Sequence, residues 1–163
     1  MGKSCCAGNP VRAKTSSVCR TEAAAGTHKF VVKNYSLLDG MGAGGDKCVT
    51  SPTFIVGGRC WCIKFYPDGD GKEAGYAAAF LCPVGFVPKT GVRVYYTLSM
   101  RKKNGEVLKG SNIMNATSTF KPGDRGGGDT KLVHKSVLRK DCFTIRCDLT
   151  VVLDTKVQMI FPN

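Results

Sequence analysis

No run of apolar residues in this chain approaches the roughly 20 needed to cross a bilayer as a helix. The opening stretch, MGKSCCAGNPVRAKTSSVCR, has no apolar segment of signal-peptide type. The expected location is therefore the cytosol or the nucleus. Acidic side chains are scarce, 12 against 24 lysines and arginines, which leaves a net charge of +12. Histidine is nearly absent. His28 and His134 stand in unrelated contexts, and no nucleophile motif frames either with a cysteine. No carboxylates pair in a setting for acid–base work, so an enzyme is not expected. No long helical periodicity and no repeat of about 20–50 residues is present.

What the chain does have is cysteine, glycine and alternation. Nine cysteines is an odd number, and without a secretory signal they read as reduced thiols that behave as small core residues. Cys60 and Cys62 are one residue apart, whereas zinc sites use pairs separated by two to four residues and a second pair elsewhere. The PDGDG segment lacks the third ligand and the terminal glutamate of a calcium loop, so Asp68 and Asp70 are read as turn formers. GMGAGGD, Gly40 to Asp46, lacks the Gly-Lys-Ser/Thr of a phosphate loop. No metal or cofactor is expected. The basic residues are scattered. The densest run, MRKKNGEV, reads as a solvated loop tip, so nucleic acid is not the expected partner. A basic surface for acidic partners or nucleic acid stands as the alternative.

From His28 onward, short alternating runs are bounded by Gly, Pro, Asn and Asp. RCWCIKFY sets Trp61, Ile63 and Phe65 against Cys60, Cys62, Lys64 and Tyr66. YAAAFLC sets Ala77, Ala79 and Leu81 against Tyr76, Ala78 and Phe80. CVTSPTFIV reads as one strand ending at Gly57-Gly58. VRVYYTLSMRKKNGEVL predicts a long strand running into a type I′ turn at Asn104-Gly105. CFTIRCDLTVVL alternates to the end. The pattern predicts an all-β, antiparallel, seven- to eight-stranded sandwich. DTKLVHKSVLRK is the best helical stretch, worth one or two turns, and GDRGGGD, Gly123 to Asp129, reads as a flexible loop. Residues 1–26 read as a disordered tail and 156–163 as a second one, around a domain at 27–155. MGKSCC approaches a lipidation signal at Gly2, Cys5 and Cys6, but Cys6 stands where the usual pattern has Ser or Thr. No membrane contact is expected unless that tail is lipidated.

HKFVVKNYSLLDGMGAGG, SPTFIVGGRCWCIKFYPDG, YAAAFL and VRVYYTLS together resemble the meprin-and-TRAF homology (MATH) domain, in particular the plant group that joins it to a BTB/POZ domain. The resemblance covers residues 28 to about 154 and is densest from His28 to Met100. It implies a TRAF-like sandwich that binds an extended peptide segment of a partner protein in a shallow groove. BTB-bearing relatives use that groove to choose substrates for cullin-based ubiquitin ligases. Recruitment itself would need a BTB domain, which does not follow in TKVQMIFPN; a MATH-only or degenerate role is the alternative.

The groove of an animal, speckle-type POZ relative is lined by aromatics on two strands and by a tyrosine, a lysine–aspartate pair, a tryptophan and a phenylalanine around one loop. The resemblance places Phe80 and Tyr96 at the strand aromatics, with ordinary packing as the alternative role for each. Aligned without gaps through Phe120, Gly123 and Gly127, the other positions fall on Ser118, Asp124, Arg125, Gly126 and Gly128. Here the tyrosine is a serine, the charged pair is inverted, and the last two aromatics are glycines. The serine/threonine-rich segment read by that relative is therefore not expected to bind.

Overall fold

The computed structural model describes residue 2 and residues 8–139 and 142–161. Among these the chain forms nine strands: β1 (Ser16–Lys33), β2 (Val49–Thr50), β3 (Phe54–Val56), β4 (Arg59–Tyr66), β5 (Tyr76–Val84), β6 (Val92–Arg101), β7 (Met114–Phe120), β8 (Gly127–His134) and β9 (Cys142–Ile160). Every pairing is antiparallel. One sheet has the order β1-β9-β6-β7; the other has β2-β4-β5-β8, with β3 also paired to β4. This is the expected all-β sandwich. No described helix is long and apolar enough to cross a membrane.

Nine strands stand where seven or eight were expected, and CVTSPTFIV forms two of them. Pro52 has no N–H for a ladder bond, and Ser51 takes over locally. Its Oγ accepts from the Ile63 amide at 2.9 Å, while its own N–H donates to the Ile63 carbonyl. Gly57 and Gly58, with φ of 64° and 68°, then turn β3 into β4 through a two-residue loop. That is the left-handed pair a type I′ turn requires. At the other hairpin, only Gly105 has positive φ, and its N–H donates to the Lys102 carbonyl at 2.9 Å. Asn104 uses its side chain to accept from the Glu106 amide, so the type I′ turn expected there is replaced by a longer turn ending in a left-handed glycine.

Alternation places the core where the sequence puts it. Trp61, Ile63, Phe65, Ala77, Ala79, Leu81, Val94, Leu98, Met100, Phe143 and Ile145 are buried between the sheets. Ala78 is buried as well, although it stands on the other face of β5. The Trp61 indole N–H donates to the Val56 carbonyl at 3.2 Å, so its polar atom is satisfied in the interior. Phe65 and Phe143 meet edge to face at 5.6 Å.

Three segments depart from expectation. Residues 16–26, read as tail, belong to β1, and 156–160 belong to β9. The two pair in register from Ser16↔Ile160 to Lys33↔Cys142, with one irregularity between Thr21 and Ala23. The outer part of this ribbon buries almost nothing, so composition alone gives it no core signal; backbone pairing to β9 orders it. In DTKLVHKSVLRK, residues up to His134 are strand, and only Lys135–Arg139 forms a short 3-10 turn. Finally, Gly127, Gly128 and Asp129 are strand rather than flexible loop. The lipidation positions Cys5 and Cys6 lie outside the described residues.

Candidate interaction surface

β7 is bonded to β6 from Val92↔Phe120 to Leu98↔Met114 and, among the described residues, has no strand paired on its other side. β8 is likewise the edge of its own sheet. The two edges are tied together near one end. Asn112 donates its backbone N–H to the Leu132 carbonyl and its side-chain amide to the Lys131 carbonyl, at 2.8 and 2.6 Å. Beyond that tie they part. A depression of about 450 Å³ lies beside Met114, Asn115 and Gly128, and another of about 340 Å³ beside Ser118, Arg125 and Gly127. Met114, Ala116 and Ser118 on β7 are consequently only half-buried, while Asn115, Thr117 and Thr119 face water. An unpaired strand edge beside a shallow cleft is what an added strand can use.

The residues singled out from the sequence gather here unequally. Ser118, Asp124, Arg125 and Gly126 share the second depression. Phe80 and Gly128 are cross-strand partners on β5 and β8. The Phe80 ring stands on the outer face, half-buried, 5.6 Å from Tyr66 in an edge contact. Tyr96 instead points inward and is 3% exposed. Its ring stacks on Phe120 at 6.4 Å and its hydroxyl lies near Ser118. Burial pushes the Tyr96 hydroxyl pKa up, so it stays a neutral phenol. Tyr96 is thus the floor beneath Ser118, and Phe80 is a wall on the far side of β8.

The glycines have a steric cause. A Cβ on Gly128 would meet the Ala79 carbonyl oxygen and come within 2.8 Å of the Phe80 ring. A Cβ on Gly127 would meet the Tyr96 hydroxyl. β8 lies so close to β5 that no side chain fits at 128, and Phe80 covers the bare backbone there. An aromatic laid over a cross-strand glycine is a known way to shield it. The space that a side chain at 127 or 128 would need is thus already filled by neighbouring atoms.

Asp124 and Arg125 differ in availability. The Asp124 carboxylate accepts the Lys121 amide at 2.7 Å, and its own N–H donates to the Lys121 carbonyl. That closes a turn. Arg125 has no salt-bridge partner among the described residues.

Other polar groups are consumed by the fold. Asp68 is more than a turn former. It accepts from the amides of Gly40 and Gly42, at 3.2 and 2.8 Å, and pairs with Lys135, which also reaches Asp39. Burial alone would raise its pKa, but Lys135 and the two amides outweigh this and hold it below the usual 3.8. Cys62 and Cys82 face each other across β4 and β5. Burial pushes Cys82 up to about 12 and raises Cys62, so both are neutral thiols and poor ligands or nucleophiles. The described residues contain no cluster suited to a metal ion.

Sequence reasoning missed two further surface residues, Phe86 and Lys89, in the β5–β6 turn. The signal was a phenylalanine set in PVGFVP, between turn-forming glycine and proline where no core position exists.

Residues 27–149 match the MATH domain family model. The chain is 33% identical over 166 aligned residues to the BTB/POZ and MATH domain-containing protein 5 of Arabidopsis thaliana, covering 89% of this chain and 38% of that protein. It is 31% identical over 162 residues to protein 6 of the same series, covering 88% and 37%. To protein 4 it is 38% identical over 94 residues, covering 56% and 19%. The chain thus spans well under half the length of these relatives.

Proposed function

The chain belongs to the MATH domain family, and from that membership we propose that it is a protein-interaction module holding an extended peptide segment of a partner along the β7 edge. The observation that carries this reading is the unpaired edge of β7 beside the cleft that separates it from β8. Main-chain bonds to the edge would supply affinity, and side chains would enter the depressions at Ser118, Arg125 and Gly126. Phe80 and the shallow backbone at Gly128 border the same strand, and Tyr96 supports Ser118 from below.

The relatives named above carry BTB/POZ as well as MATH. In that setting the present chain would choose the substrate of a cullin-based ubiquitin ligase, and the BTB/POZ part would supply the link to the ligase. The expected partner is protein rather than nucleic acid. The serine/threonine-rich segment bound by the speckle-type relative would lose its ring contacts at 118, 126 and 128. Anchoring aromatics of this kind are often worth about 2 kcal/mol or more each. Titration with such a peptide is expected to show no saturable binding, and low-micromolar affinity would sink that part of the reading.

The edge itself is tested by photo-crosslinking in an extract. A crosslinking side chain at Thr119, exposed on β7, should capture partner peptides, and one at Lys72, exposed elsewhere, should not. Equal capture at both positions, or none at Thr119, refutes edge binding.

A further inference from the structure

We propose that the hollow beside Phe86 is a second binding position, which seats an apolar side chain of the partner segment while Lys89 and Arg125 hold an acidic side chain next to it. This rests on the edge-binding reading and specifies the partner it selects. Phe86 is 85% exposed in the β5–β6 turn, and Val84 just before it is 38% exposed. Single exposed apolar residues are ordinary. Here the ring instead forms one side of a hollow of about 450 Å³, with Pro83, Val87 and Pro122 on the others. Three of these four side chains are rigid or nearly so, which keeps the ordering cost of seating a ligand group low.

Position and charge identify the occupant. Asp124 borders both this hollow and the depression that contains Ser118 and Arg125, so the two are neighbours near the end of β7. Lys89 lies in the hollow and Arg125 in the depression. Neither has a salt-bridge partner among the described residues, and the one nearby carboxylate, Asp124, already accepts the Lys121 amide. The local excess of positive charge matches the +12 of the whole chain. An extended segment leaving the edge would therefore meet an apolar seat flanked by two free cations. A peptide with a bulky apolar residue and an Asp or Glu within a few positions satisfies both.

The test is selection of short random peptides displayed on phage against the purified chain, followed by titration of the recovered peptides. They should combine an apolar residue with a nearby Asp or Glu. Phe86→Ser should weaken them about tenfold with an unchanged melting temperature, since the ring packs against nothing that would be lost. A Lys89→Glu, Arg125→Glu double variant should weaken them at least as much and should bind Lys-containing versions better than the native chain does. The proposal is overturned if Phe86→Ser binds the same peptides within twofold. In that outcome the edge reading survives, because those peptides would still crosslink at Thr119. Recovery of no binding peptide removes both. A dimer of the native chain that disappears in Phe86→Ser would show a second copy in the hollow and also overturns the proposal.

Discussion

Two corners of this sandwich have similar composition and opposite character. Pro67-Asp68-Gly69 and Pro122-Gly123-Asp124 are both turns built from proline, glycine and an aspartate, each with a basic residue close by. At the first, Asp68 takes two loop amides and the Lys135 ammonium, and its side chain is only 11% exposed. One carboxylate fastens the 40–42 loop to the 3-10 turn at 135–139. At the second, Asp124 closes only its own turn, and Arg125 is left facing water. The first corner spends its charge on folding. The second keeps a cation, an open strand edge and an exposed ring for something else. A motif's composition does not separate these cases; what decides is whether a partner from another part of the chain arrives.

The difference can be broken at either corner, and the largest effect belongs to Asp68. Asp68→Asn should lower unfolding free energy by about 1.5–3 kcal/mol, the range for hydrogen bonds to a charged group, as read by chemical denaturation. The pH dependence follows in sign. The folded-state pKa of Asp68 lies below its ordinary 3.8, so its contribution is present above that value and fades as pH falls through the folded one. Melting temperature should therefore drop on acidification below about pH 4, and Asp68→Asn should flatten that drop. Asp124→Asn, losing charge on one bond to a backbone amide, should cost about 0.5–1.5 kcal/mol. Tyr96→Phe removes a hydroxyl in the interior and should cost a similar or smaller amount. Arg125→Gln should leave stability within about 0.5 kcal/mol while weakening peptide binding. A stability loss at Arg125 as large as that at Asp68 would erase the contrast.

The strands were legible because burial of one face imposes a period of two, as in RCWCIKFY. The Gly57-Gly58 turn was legible because two adjacent glycines permit a left-handed pair. Tyr96 and Phe80 looked alike in the sequence, each an aromatic in an alternating run. They differ in parity: Tyr96 shares the inward face of Val94 and Leu98, and Phe80 stands on the face opposite Leu81. Gly127 and Gly128 were misread because glycine runs usually cost backbone entropy. Here a neighbouring strand approaches too closely for a Cβ, which is a tertiary fact. The ribbon at 16–26 and 156–160 was missed because it is held by backbone pairing with little apolar burial. Asp68 and Lys135 are 67 residues apart, and no local pattern announces their meeting.

The most direct measurement is backbone amide NMR of the labelled chain during titration with a selected peptide. Shifts should be confined to residues 114–119 and 124–130, with the turn around Phe86, and the 35–48 and 135–138 segments should stay still. Shifts centred on the Asp68–Lys135 corner, or spread over β1 and β9 with none on β7, would contradict the account.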